Sequence, residues 1–138
     1  MKVGKYEIRE DLLYTKDHEW IKIINDNESV VGITDYAADM LHDIVFVSLP
    51  EEGSEIKQGA VAATVESVKS TADVMIPLSG RIILTNKELL QHPEKVNQSP
   101  YEDGWFFRLK PYNTESEKKS LLTPSAYADL IQHLTQQS

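Results

Sequence analysis

The stretch TVESVKSTADVMIPLSG, residues 64–80, places a charged lysine, Lys69, between two apolar runs that read as β-strands closing on a turn. The runs Ala60 to Val65 and Ala72 to Ile76 are too short and too rich in β-branched residues for a helix. Strand is the better reading of both. The polar piece ESVKST between them therefore caps a hairpin and projects into solvent, with Lys69 as its most exposed side chain. A lysine in a turn ordinarily serves solubility alone. Here, however, the turn lacks an Asn-Gly or Asp-Gly pair and sets β-branched Val68 beside the lysine, so a requirement other than turn formation shapes it.

Outward from this hairpin the same pattern repeats. HEWIKII and ESVVGI, separated by NDN, predict strands over 19–24 and 28–33 joined by a tight turn. Thr34 then offers an N-cap to a short helix in TDYAADMLH, and IVFVSLP at 44–50 returns to strand until Pro50. Beyond the lysine, Pro77 and Gly80 punctuate the chain before a strand at 81–85. Asn86 is expected to cap a short helix in NKELLQ, and GWFFRLKP forms a last strand stopped by Pro111.

The tail reads as helical. Thr114 and Glu117 match a capping box, and Thr123 before Pro124 starts a second helix. In that helix Tyr127, Leu130, Ile131 and Leu134 form one apolar stripe, which must lie on the body. Residues 1–138 are thus expected to form a single domain, with 1–13 as a polar N-terminal arm and 114–135 as a C-terminal helical segment packed on it. The fold class is mainly β, a small barrel or sandwich with a few short helices.

Composition narrows the function. Apolar residues make up 41% and charged residues 26% of the 138, as in ordinary globular domains. The 14 Lys+Arg against 22 Asp+Glu give a formal net charge of -8, which disfavours nucleic acid and anionic membranes as partners. With no cysteine there is no disulfide, thiolate metal site or cysteine nucleophile, so any redox sulfur must be imported. His18, His42, His92 and His133 are scattered without a ligand pattern, and no metal is assigned. EEGSEIKQG lacks phosphate-loop spacing, while Trp20, Trp105, Phe106 and Phe107 read as core. The N-terminus has no apolar signal segment and no window reaches membrane-span length, so a cytoplasmic protein from a prokaryote is expected.

ESVKSTADVMIPLSG resembles the lipoylation site of the glycine cleavage system H protein family, whose usual form is Glu-Ser-Val-Lys followed by Asp and a Pro…Gly. YTKDHEWIKI, VGITDYAADML, DIVFVSLPEEG, VNQSPYEDGWFFRLKP and SLLTPSAYADL are similar to the same family in the same order, covering about 14 to 130. Three positions depart from it. Ala72 stands where Ser is common, His42 where Gly is common, and Tyr36 where some members carry His.

The resemblance implies a lipoyl-domain-like fold, a flattened barrel/sandwich hybrid with Lys69 at a hairpin tip. It also implies covalent lipoate on Lys69, which cancels the charge and supplies the missing sulfur. On that reading the protein is a carrier and not an enzyme, and no catalytic residue is assigned. Its arm accepts an aminomethyl group from glycine decarboxylase, presents it to a tetrahydrofolate-dependent aminomethyltransferase, and is reoxidised by dihydrolipoamide dehydrogenase. Transient docking to three enzymes in turn suits a monomer.

Glu66 and Asp73 flank the lysine and are implied in recognition by a lipoate ligase or lipoyltransferase, with solvated turn charge as the alternative. Glu19 matches a family position facing the cleft where the loaded arm rests, with Tyr36 beside it; an ordinary strand-edge carboxylate is the other reading of Glu19. Three rival functions stand against glycine cleavage. A biotinyl carrier would place methionines beside the lysine, where this chain has Val68 and Ser70. An enzyme with a Schiff-base lysine would need Lys69 desolvated in a pocket. An H-like lipoate relay for other lipoyl-dependent complexes shares every feature above.

Overall fold

Strands outnumber helices in the computed structural model, which describes residues 1–136. In order they are β1 (Lys2–Val3), β2 (Tyr6–Glu7), β3 (Leu13–Tyr14), β4 (Glu19–Asn25) and β5 (Glu28–Ile33), then helix α1 (Asp35–Leu41). β6 (Ile44–Ser48), β7 (Glu55–Ile56), β8 (Val61–Ser67), β9 (Thr71–Met75) and β10 (Gly80–Thr85) follow. Two one-turn helices, α2 (Glu88–Gln91) and α3 (Lys95–Gln98), lead to β11 (Phe107–Pro111), α4 (Thr114–Glu117) and the final helix α5 (Pro124–Gln136).

Every strand pairing is antiparallel. One sheet runs β3-β4-β5-β11-β10-β7, a second β6-β8-β9, and β1 pairs with β2 alone. The two larger sheets share an apolar interior that includes Ile21, Val31, Val47, Val65, Val74, Ile82 and Phe107, all buried. Alternation explains the sidedness: in β11, Phe107, Leu109 and Pro111 point inward while Lys110 is exposed. The result is a flattened barrel or sandwich. Among the described residues no helix is long and apolar enough to cross a membrane.

A second apolar cluster lies outside the sheets, where α5 covers β3 and β4. Tyr14 and Tyr127 stack at 4.3 Å, Trp20 donates its indole N–H to the Pro100 carbonyl at 3.0 Å, and Ile8 and Ile131 close the cluster. Trp20 lies across Gly32, its partner in the β4–β5 register. A Cβ at Gly32 would stand 2.6 Å from the indole, so the ring must move to admit it. Gly32→Ala is expected to destabilise the protein by about 2 kcal/mol. A urea titration should show a lower midpoint with an unchanged slope; an unchanged midpoint would mean that the indole relocates without cost.

Several local expectations are corrected. The N-terminal arm, residues 1–13, is not polar throughout: it includes the β1–β2 hairpin and buries Tyr6, Ile8 and Leu12, which join the α5 cluster. Asn86 does not cap α2, which starts from Lys87 with no side-chain cap. Buried instead, its amide donates to the carbonyls of Asp103 (2.9 Å) and Trp105 (2.8 Å), tying the loop before β11. The capping box at Thr114 and Glu117 does not form either, since α4 follows Asn113 without a side-chain cap. Ser79 outcompetes it by donating its backbone N–H and its hydroxyl to the Glu117 carboxylate at 2.9 and 2.6 Å. On α5, Tyr127 and Ile131 are buried as the stripe predicts, but Ala128 joins them while Leu130 and Leu134 are only half-buried. Thr123 does cap this helix, accepting from the Ala126 N–H at 3.1 Å.

Candidate functional site

The β8–β9 hairpin reaches further than the apolar runs alone suggest: its strands extend to Ser67 and resume at Thr71. Only Val68, Lys69 and Ser70 form the tip, all exposed. The missing Asn-Gly chemistry is replaced by Ser67. Its hydroxyl oxygen accepts the N–H groups of Lys69 (3.2 Å) and Ser70 (3.0 Å) and donates back to the Ser70 carbonyl (3.1 Å). This is why Ser precedes Val-Lys in the sequence.

The tip is also tied to the loop between α1 and β6. The Val68 N–H donates to the Asp43 carbonyl at 3.0 Å. Next to it, His42 holds φ 63° and ψ -153°, a region that residues with a Cβ almost never occupy. Asn97 on α3 clamps the segment on both sides: its amide N–H donates to the His42 carbonyl (2.8 Å), and its carbonyl oxygen accepts the Ile44 N–H (3.0 Å). Held there, His42 Nε2 stands 3.5 Å from Lys69 Nζ. From the sequence, His42 reads only as a variant turn residue; the carbonyls of Asp43 and His42 and the amide of Asn97 are what make it a neighbour of the lysine.

Strain of this kind costs about 1–3 kcal/mol, whereas the entropy of an added glycine costs about 1. His42→Gly should therefore raise stability by about 1 kcal/mol in chemical denaturation. A loss of stability would show that the imidazole contributes more than the backbone costs.

Beside the hairpin lies a cavity of about 290 Å³, walled by Ile33, Met40, Leu41, Val65 and Val74 and bordered by His18, Glu19, Tyr36, Ala72 and Asp73. Its floor carries Glu19, whose side chain is only 1% exposed. Glu19 is thus no strand-edge carboxylate; β4 lies between β3 and β5. Thr15 donates its hydroxyl to one carboxylate oxygen, and the Met75 N–H donates to the other at 3.2 Å. Burial outweighs these bonds and pushes the carboxyl up to about 7. Thr15 and the Met75 backbone escape the sequence reading because neither carries a motif.

Tyr36 stands on the cavity wall, held edge-on by Tyr6 at 5.1 Å and tilted against His18 at 4.8 Å. His18 Nδ1 meets the Tyr127 hydroxyl at 2.9 Å, and burial lowers this histidine below its ordinary value. The N-terminal hairpin and α5 thus both buttress the cavity rim. Glu19, Tyr36 and Asp73 come together on this one cavity, whereas Glu66 is exposed on β8 and Lys69 stands at the tip. Asp73 borders the cavity but is itself exposed, paired with Thr64 on the same face of the hairpin as Glu66.

The arrangement offers a nucleophilic amine on a short tether next to an apolar recess with a single buried acid. Comparison with known proteins bears on what it is used for. The family model described as glycine cleavage H-protein matches residues 12–134. The probable glycine cleavage system H protein 1 of Saccharolobus solfataricus is 47% identical over 131 residues, 95% of this chain and 96% of that one. The probable glycine cleavage system H protein of Pyrococcus furiosus is 46% identical over 134 residues, 97% of this chain and 99% of its own. Among solved structures, a glycine cleavage system H protein from Mycobacterium marinum superposes with a TM-score of 0.81 at 38% identity, covering 88% of this chain and 97% of that one. A family match over nearly the whole chain, together with relatives of almost equal length and the same fold, means that the chain belongs to the glycine cleavage H-protein family.

Proposed function

We propose that the protein is the lipoyl-carrying component of a glycine cleavage system, with lipoate joined as an amide to Lys69. The observation that carries the reading is the exposed Lys69 at the tip of a hairpin whose own Val65, Ala72 and Val74 line an apolar cavity. The fit is chemical as well as geometric. An exposed amine can be acylated by another enzyme, and a narrow recess walled by aliphatic side chains suits a hydrocarbon arm. Bound there, lipoate would supply a disulfide that takes up an aminomethyl group from glycine decarboxylase, yields it to the aminomethyltransferase, and is restored by dihydrolipoamide dehydrogenase.

The chain's own part is to hold, shield and present. The three-residue tip and its Ser67 bonds fix where the tether starts, so that the arm sweeps a limited volume and its local concentration is high. The apolar cavity would shield from water what enters it, and the buried Glu19 carboxylate at its border would be the partner for an ammonium group there. Exposed Glu66 remains the candidate contact for a lipoate ligase or lipoyltransferase. Asp73, exposed on the same hairpin face as Glu66 and bordering the cavity, is a second candidate contact for that enzyme.

Intact mass after incubation with lipoate, ATP and a lipoate ligase tests the reading, with peptide mapping across residues 61–75. One lipoyl increment on Lys69, followed by glycine-dependent carbon dioxide release with the three partner enzymes, is the expected result. Lipoylation without glycine turnover would favour the relay role, and no increment would overturn the carrier reading.

A further inference from the structure

The contact between His42 and Lys69 goes beyond carrying an arm, although it rests on Lys69 being the acylated residue. We propose that the His42 imidazole is a proton acceptor for the acylation of Lys69, so that the carrier itself supplies part of the chemistry of its own modification.

Two independent features converge on this pairing. The first is distance: His42 Nε2 is 3.5 Å from Lys69 Nζ, and among the described residues it is the polar partner that this nitrogen has. The second is strain. His42 occupies a backbone conformation that glycine would adopt freely, and Asn97 enforces it from both sides with bonds to the His42 carbonyl and the Ile44 N–H. Strain that the surroundings hold in place marks a position where the side chain is used. The Val68 N–H to Asp43 bond, one residue along each segment, keeps the two partners in register.

The chemistry needs such a group. The neutral Lys69 amine attacks the carbonyl carbon of an activated acyl donor, a mixed anhydride with a phosphate or a thioester. The C–N bond forms, the bond from that carbon to oxygen or sulfur breaks, and the electron pair leaves with the departing atom. Nitrogen, cationic after the attack, must then lose a proton. Nε2 accepts it when the ring carries its own hydrogen on Nδ1. No oxidation or reduction is involved. The product amide keeps one N–H, which can still donate to the same ring nitrogen.

The test uses the unacylated protein and a limiting amount of a small acylating reagent, the N-hydroxysuccinimide ester of acetic acid, with peptide mass mapping of each lysine. Lys69 should react about fivefold faster than the other exposed lysines, the worth of one hydrogen bond in the transition state. In His42→Gly and in His42→Gln it should fall to their level while they stay unchanged. With a lipoate ligase in single-turnover experiments, the plateau rate should fall about fivefold in both variants at an unchanged half-saturating protein concentration. A purely structural role would shift the concentration dependence instead. If Lys69 in His42→Gln keeps the wild-type rate toward the small reagent, the proposal is overturned. Should the ligase fail to modify even the wild type, the carrier reading falls, while the small-reagent comparison still decides the role of His42.

Discussion

Lys69→Ala is expected to take lipoate incorporation to zero and, with it, all glycine-dependent carbon dioxide release in the reconstituted system, while leaving the fold intact. The loss is complete rather than graded because the lysine is not one contact among many. In the proposed carrier role it is the attachment point of the cofactor that carries the sulfur, and the chain has no cysteine to substitute for it. The fold should survive because Lys69 is exposed and the tip is organised by the Ser67 hydroxyl and backbone groups. Lys69→Arg is the sharper control. It keeps the charge and length, but a guanidinium stays protonated and is no acyl acceptor. Both variants should unfold within about 0.5 kcal/mol of the parent, as exposed substitutions do. Lipoylation persisting in either, at another lysine, would place the carrier function elsewhere on the surface.

Glu19→Gln is the second large effect, and its sign depends on pH. Burial raises the Glu19 carboxyl to about 7 in the folded protein, against an ordinary value near 4.5. Between those values the folded chain keeps a proton that the unfolded chain has released. Stability therefore falls as pH rises through this window, and the whole cost, about 3 kcal/mol, is present above it. Glutamine removes the titration while its amide can still accept the Met75 N–H and donate to Thr15. Parent and variant should match at pH 4.5, and the variant should be more stable by about 3 kcal/mol at pH 8.5 in urea titrations. Parallel stability curves across that range would sink the idea. The functional consequence follows from the same energy: above pH 7 the site holds a desolvated negative charge, and an ammonium entering the cavity relieves it. Gain in stability and loss of cation affinity should thus go together in this variant.

These two positions differ in how well the sequence announces them. Lys69 is legible because a charge interrupting β-branched runs conflicts with strand propensity, and such conflict marks either a turn or a function. By residue type and spacing Glu19 looks like any charged residue at the start of a strand; only the family resemblance set it at a cleft, and its burial appears only in the fold. The hairpins at 19–33 and 61–75, α1 with its Thr34 cap, and the start of α5 at Pro124 were all legible for the same reason. Each is set by neighbours within a few residues: a two-residue period, a cap, or a proline that fixes φ.

The misreadings share a cause as well. Asn86 and Glu117 have the right identity for local caps, but each finds distant partners, the Asp103 and Trp105 carbonyls and Ser79 respectively, which satisfy them better. Residues 1–13 look polar because only Tyr6, Ile8 and Leu12 among them turn inward, onto a cluster built by α5 more than a hundred residues away.

By itself, then, the sequence determined the β-rich fold class, the existence of the central hairpins and the lysine at the tip, since short-range sterics and hydrophobic periodicity act between residues close in the chain. Only the tertiary structure decided that Glu19 is buried and titrates high, that Asp73 borders the cavity at which the family resemblance set Glu19 and Tyr36, and that Asn97 strains His42 toward Lys69. Those properties belong to desolvation and to contacts between segments far apart in sequence, and neither exists until the sheets have packed.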